Sequence, residues 1–100
     1  MYARIASFEG DPDRMDAALE AARAQVESNW ESPPEGMEAM KEMWMLVDRE
    51  GAKGLGITVY ETEEDLRRAD AALNAMTPAD PSGRRTDVSI YEVELHKERD

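Results

Sequence analysis

The sequence predicts an α+β domain of the ferredoxin-like class, with four antiparallel strands and two helices on one face of the sheet. Apolar residues alternate as in strands in four segments and recur at helical spacing in two others. The six segments follow one another in the order βαββαβ, which is the order of the ferredoxin-like arrangement. Nothing in the 100 residues has the composition of a linker, so residues 1–100 are predicted to form one domain.

The first strand and the first helix are clearly delimited. Residues 2–8, "YARIASF", are typical of a strand and stop at a Glu-Gly pair. Asp11 then supplies a helix N-cap, with Pro12 at the first helical position. The helix presents one apolar face and ends before Pro33. That face comprises Met15, Ala18, Leu19, Ala22, Val26 and Trp30.

The middle of the chain predicts a β-hairpin. Residues 43–47 and 55–59 alternate on both sides of the glycine-containing turn "DREGAKG". The stretch "MEAMKEMWML" at residues 37–46 is ambiguous, because its four methionines and one tryptophan fit a helical face and a strand about equally. The following hairpin favours a strand from Met43 onward. Methionine fills irregular gaps and also adapts to ligands, and we predict that here its main role is packing.

The second helix and the last strand follow the hairpin. Thr62 and Asp65 approximate a capping box, and an apolar stripe starts at Leu66. Residues 77–85, "TPADPSGRR", are predicted to be a loop on composition alone. Residues 86–97 have apolar side chains in both registers, which indicates a strand with both faces covered.

Charge and composition exclude several classes of partner. The chain has 12 basic and 23 acidic residues, and a net charge of −11 repels the phosphates of nucleic acids. It contains no cysteine, so it has neither disulfides nor thiolate metal sites. We find no secretory leader and no apolar run that could cross a bilayer. We therefore expect no nucleic-acid partner, no membrane association and a cytoplasmic location.

The strands are apolar on both faces. Trp44 and Leu46 alternate with Met43 and Met45, although two helices can cover only one side of the sheet. Because an exposed apolar sheet face favours association, we predict a homodimer in which two copies pack sheet against sheet and close a barrel.

Several segments resemble a known family. The stretches "PPEGM" and "VDREGAKGLGITVYETEEDL", and the "YEV" of the last strand, resemble antibiotic biosynthesis monooxygenase-like (ABM-like) domains of the dimeric α+β barrel superfamily. That resemblance implies the dimeric barrel. It leaves the reaction open, since the superfamily includes quinone-forming monooxygenases, heme-degrading enzymes and proteins without assigned activity.

The residues depart from the heme-degrading pattern. His96, the only histidine, lies in the predicted tail and is expected to be solvated, and the first strand contains no asparagine. No metal-ligand spacing and no phosphate-binding glycine loop occur. We therefore expect no cofactor and no metal, and heme degradation is not the expected activity.

Five residues are candidates for binding a substrate, on the side chains that the resemblance implies for cofactor-free oxygenases. They are Trp44, Tyr60, Arg4, Asn74 and Tyr91. Trp44 is the first choice for a cavity wall between sheet and helices, although packing would also explain it. Arg4 interrupts an apolar strand and must meet a carboxylate or an anionic ligand.

The sequence is compatible with two functions. The first is cofactor-independent oxidation of a small planar aromatic substrate in a cavity between sheet and helices. The second is a non-catalytic barrel with a structural role or a small hydrophobic ligand. A cavity with converging polar groups would favour the first, and an interface filled by side chains the second.

Overall fold

The computed structural model describes residues 1–76 and 83–100 and has the predicted order of elements. The strands pair antiparallel in the spatial order β2-β3-β1-β4. The ferredoxin-like prediction is therefore confirmed. The elements are β1 (Tyr2–Glu9), α1 (Met15–Glu31), β2 (Glu42–Asp48), β3 (Lys53–Tyr60), α2 (Glu63–Asn74) and β4 (Arg84–Glu92).

The second helix begins where the sequence predicts, whereas the predicted start of the first helix is a 3-10 turn and α1 itself begins at Met15. The Asp11 side chain accepts a hydrogen bond from the Asp13 amide, and a single 3-10 turn, Pro12–Arg14, leads into α1. The Thr62 hydroxyl accepts a bond from the Asp65 amide at the start of α2. These caps satisfy amides that have no partner within the helix. No helix within the described residues is long and apolar enough to span a bilayer.

Strand β4 differs from its predicted limits. Of the predicted loop 77–85, residues 77–82 lie outside the described residues, whereas Arg84 and Arg85 pair with Glu9 and Phe8 of β1 and belong to the strand. The amino-acid composition did not predict this part of the strand, because arginines next to a glycine are typical of a loop. The strand ends at residue 92 rather than 97, since β1 begins at residue 2 and offers few backbone partners beyond that point.

The strand register assigns each side chain to one of two faces. Arg4 is opposite Thr58 and Ala6 is opposite Gly56, while Met43 and Met45 of β2 are opposite the same two residues of β3. The Arg4 side chain bonds to Asp70 of α2, so this is the face that the helices cover, and we call it the inner face. Trp44, Leu46, Leu55, Ile57 and Tyr91 lie on the opposite, outer face.

The compact part of the interior lies between α2 and the sheet. Leu66 and Ala69 of α2 and Tyr60 of β3 are fully buried together. Three partly buried side chains, Tyr2, Met40 and Ile90, pack against them. None of the 17 residues of α1, all of which are described, is buried. The first helix therefore lies over the inner face without closing onto it.

Candidate functional site: a cavity beneath the first helix

A cavity of about 810 Å³ separates α1 from the inner face of the sheet. Its roof is the apolar face of the helix that the sequence predicts, including Leu19, Val26 and Trp30. Its floor contains Ala6, Gly54 and Gly56. A methyl group and two α-hydrogens occupy little of the space under the helix. Ligand cavities in proteins commonly measure about 300–1,000 Å³, so the volume suits a small molecule with several fused rings.

Methionine is the commonest residue type in the cavity lining. Of the seven methionines in the chain, six contribute to the wall, and only Met1 does not. They are Met15, Met37, Met40, Met43, Met45 and Met76. Met37 is buried, whereas Met43 and Met45 are partly buried, so for these two residues the expectation that the stretch mainly packs stays a prediction. Unbranched, polarizable thioethers can adapt to ligands of different outline.

Polar groups converge on one part of the wall. Arg4 Nε donates to Asp70 Oδ1 at 2.7 Å, and Arg4 Nη2 donates to Asn74 Oδ1 at 3.2 Å. Arg85 Nη1 donates to the same Asn74 oxygen at 2.6 Å, while Asn74 Nδ2 donates to Asp70. Arg4 is buried, and Asp70 balances its charge, which satisfies the expectation that this arginine needs a carboxylate or an anion.

Tyr60 lies in the packed core instead of on the described cavity wall. Its side chain is fully buried and its hydroxyl donates to Thr58 Oγ1 at 3.0 Å. Burial disfavours the phenolate and raises the pKa of Tyr60, an effect that the Thr58 hydrogen bond partly opposes. Thr58 itself lines the cavity, so its hydroxyl links the Tyr60 phenol to the site by a hydrogen bond.

Trp44 and Tyr91 lie on the outer face, away from the cavity. Trp44 pairs with Ile57 and Tyr91 with Ala3, and both side chains are at least half exposed. The predicted position of Trp44 between sheet and helices is therefore wrong. Strand alternation separates Trp44 from Met43 and Met45 but does not indicate which set faces the helices. Trp44 instead lines a second, shallower cleft of about 540 Å³ that includes Trp30, at the edge of β2.

The structure brings two of the five candidates, Arg4 and Asn74, to the cavity wall. Sequence reasoning missed Thr58, Trp30 and Arg85 as lining residues. Trp30 could have been found, because its spacing places it on the apolar face of α1. Thr58 and Arg85 could not, since their positions depend on which sheet face the helices cover and on the register of β4.

His96 lies at the surface, outside the cavity wall. Its side chain is about half exposed, and its Nε2 lies 3.9 Å from a Glu98 oxygen. One ligand atom from each of Glu42, His96 and Glu98 lies within 4.8 Å of the others. Because Glu42 is remote from the other two residues in sequence, no metal-ligand motif in the sequence predicts this cluster.

Comparison with known proteins identifies structures that share this fold. No family model and no curated protein sequence matches the chain. Among solved structures, the heme-degrader MhuD from Mycobacterium tuberculosis, with two hemes bound in its active site, superposes with a TM-score of 0.71. The sequences are 14% identical over 98% of this chain and 100% of that chain.

Two oxygenases superpose as well. An antibiotic biosynthesis monooxygenase has a TM-score of 0.56 and 18% identity over 97% of this chain and 100% of its own. SnoaB, a cofactor-independent oxygenase from Streptomyces nogalater, has a TM-score of 0.57 and 14% identity over 95% and 94% of the two chains. The chain therefore has the ABM-like fold, which confirms the resemblance at the level of architecture.

Heme can be tested against the residues of the cavity. The volume would admit a large planar group, but no described lining residue is a histidine. The chain's single histidine is at the surface beside Glu98. Histidine ligation of a heme iron therefore does not fit this cavity.

Proposed function

We propose that this protein is a cofactor-independent, ABM-like oxygenase that oxidises a small planar aromatic substrate in the cavity beneath α1. The observation that carries the proposal is the cavity itself, which has methionines along its wall and Arg4, Asn74 and Arg85 together at one part of it. An adaptable apolar wall with a few converging polar groups is the usual composition of a small-molecule site. The presence of a cofactor-independent oxygenase among proteins of the same fold supports this choice.

The chemistry requires a substrate that supplies its own electrons. An anthrone-type CH2 group can lose a proton to give an anion that reduces dioxygen. A carbon–oxygen bond then forms and the oxygen–oxygen bond breaks. One oxygen atom remains as the ring carbonyl, and the other leaves as water with the two hydrogens of the CH2 group. In this proposal the Arg4 guanidinium, which lines the cavity, stabilises negative charge on the substrate oxygen.

The alternative is a non-catalytic barrel that only binds a hydrophobic molecule. The open space beneath α1 suits either function, whereas the polar network beside it favours the enzyme, because a carrier of a hydrophobic molecule does not need converging polar groups. Both alternatives predict binding, whereas only the first predicts turnover. Oxygen uptake and quinone absorbance with 1,8-dihydroxyanthrone, measured against the rate without protein, distinguish them.

Tryptophan fluorescence tests where the ligand binds. In a Trp44→Phe variant the remaining Trp30 lines the cavity, so 1,8-dihydroxyanthraquinone should quench it saturably. In the matched Trp30→Phe variant the remaining Trp44 is on the outer face, and quenching should be much weaker. Saturable quenching of Trp44 alone would move the site to the edge of β2 and contradict the proposal.

A cavity-filling pair provides a second test. Ala22 lines the cavity, whereas Ala24 is exposed on another side of α1. Ala22→Trp should abolish both quenching and oxygen uptake because its side chain occupies the substrate space. Ala24→Trp should preserve them. Equal behaviour of the two variants would show that the ligand binds elsewhere.

We also propose that the working form is a homodimer joined through the outer face. Four large apolar side chains on that face are at least 37% exposed in a single chain, and an apolar patch of this kind favours association. They are Trp44, Leu46, Leu55 and Tyr91. A second copy with the same face would cover them symmetrically.

Light scattering tests the dimer. The expected mass is about 22 kDa, twice the 11.2 kDa of one chain. Leu46→Glu places a charge on the outer face and should give a monomer. Val47→Glu changes the adjacent exposed residue on the inner face and should leave the mass unchanged. A native mass near 11.2 kDa would refute the dimer.

A further inference from the structure

Four of the five charged residues on the described cavity wall pair with a described counter-ion. Arg4 pairs with Asp70 and Glu9 with Arg84, at 2.7 and 2.9 Å. Glu38 and Lys53 have partners at 3.9 and 4.0 Å. Arg85 also lines the cavity, but no described carboxylate lies within 4.0 Å of its guanidinium, whose one side-chain bond goes to the neutral amide of Asn74.

A β-bulge turns Arg85 toward the cavity. On β4, Val88 and Ile90 face inward, so strict alternation would also direct Thr86 inward and Arg85 outward. Between Ser7 and Phe8 of β1 the register shifts by one residue, which places Arg85 opposite Phe8 on the inner face. Bulges are frequent beside functional sites, where they redirect a side chain.

From these two observations we infer that the cavity binds planar ligands with a substituent that is anionic at neutral pH, such as a carboxylate. This substituent pairs with Arg85. The inference rests on the proposed function, because it names the substrate class of the same site. The net charge of −11 opposes anions in general, so a preference for an anion requires a local cation. A bound ring system removes water from the guanidinium and strengthens its pairing with a carboxylate.

A matched pair of probes tests this inference. Anthracene-2-carboxylate and anthracene-2-carboxamide have nearly the same shape and differ in charge. Fluorescence titration at pH 8 should show the carboxylate binding about tenfold to a hundredfold more tightly, as expected for a charge-assisted hydrogen bond. Arg85→Gln should abolish the preference and leave carboxamide binding within about twofold, whereas Arg85→Lys should retain most of it.

Arg67→Gln is the charge-matched control. Arg67 is an exposed residue of α2 that pairs with Glu63 and does not line the cavity, and its loss changes the net charge by the same amount. It should keep the native preference. Equal binding of both probes to the native protein, or an unchanged preference in Arg85→Gln, would overturn the inference while leaving the cavity as a ligand site. Failure of both probes to bind would overturn the proposed function as well.

Discussion

The two helices cover the same face of the sheet in different ways. Leu66 and Ala69 of α2 are fully buried against Tyr60, whereas α1 buries none of its residues and bounds a cavity of about 810 Å³. Both helices have an apolar stripe in the sequence. An apolar helical face therefore predicts contact with an apolar partner, and that partner can be either the sheet or a ligand.

The division assigns different roles to the two halves of the inner face. The α2 half contains the fully buried side chains Tyr60, Leu66 and Ala69 and should account for most of the packing stability. The α1 half retains exposed apolar surface in a single chain, and a bound ligand would cover it. Mutations in the two halves should therefore differ most in their effect on the free energy of unfolding.

Leu66→Ala should destabilise the protein by about 2–5 kcal/mol, because truncating a fully buried leucine leaves a cavity that neighbours fill only partly. Leu19→Ala removes the same atoms from the wall of an existing cavity on α1 and should cost less than about 1.5 kcal/mol. Urea denaturation followed by circular dichroism gives both values. Equal costs would show that α1 packs as tightly as α2.

Asp70→Ala should cost about 2–3 kcal/mol. The substitution leaves the Arg4 guanidinium, which is 5% exposed, without its carboxylate, and the 24% exposure of Asp70 moderates the usual penalty. Adding Arg4→Met to this variant should recover part of the loss, because no unpaired charge then remains. If the double variant is less stable than Asp70→Ala, the pair contributes through something other than charge balance.

Tyr60→Phe should cost about 1 kcal/mol, since it removes the hydrogen bond to Thr58 inside the core. Burial raises the pKa of Tyr60, so the folded state favours the protonated phenol. The associated stability is complete below about pH 10, the usual tyrosine value, and falls as the pH rises through the pKa of the folded state. Denaturation at pH 9 and 10.5 should show a smaller pH effect in Tyr60→Phe than in the native protein.

Met45→Leu should have the smallest effect, below about 1 kcal/mol, because a similar volume replaces a partly buried cavity-wall residue. The substitution should instead reduce the number of different ligands that the cavity binds. Leucine is branched and less flexible, so the variant should bind fewer compounds of a planar panel than the native protein. A loss of folding would mean that Met45 belongs to the packed core.

Much of the fold could be predicted because its signals are local. The Thr62 cap and the hairpin turn depend on a few neighbouring residues, and the structure confirms them, whereas Asp11 caps the 3-10 turn that precedes α1. The candidate site was predicted less well. Arg4 and Asn74 reach the cavity wall, whereas Trp44 lies on the outer face and Tyr60 in the core.

The order of the elements, their approximate limits and the two alternating registers of each strand follow from local periodicity, which records which residues share a face. Tertiary contacts determine which face the helices cover, the separation of α1 from the sheet, and the register shift that brings Arg85 inward. These depend on pairings between residues far apart in the chain, such as Ala6 with Gly56 and Phe8 with Arg85. Such pairings leave no local pattern, since each strand alone satisfies either choice of face equally well.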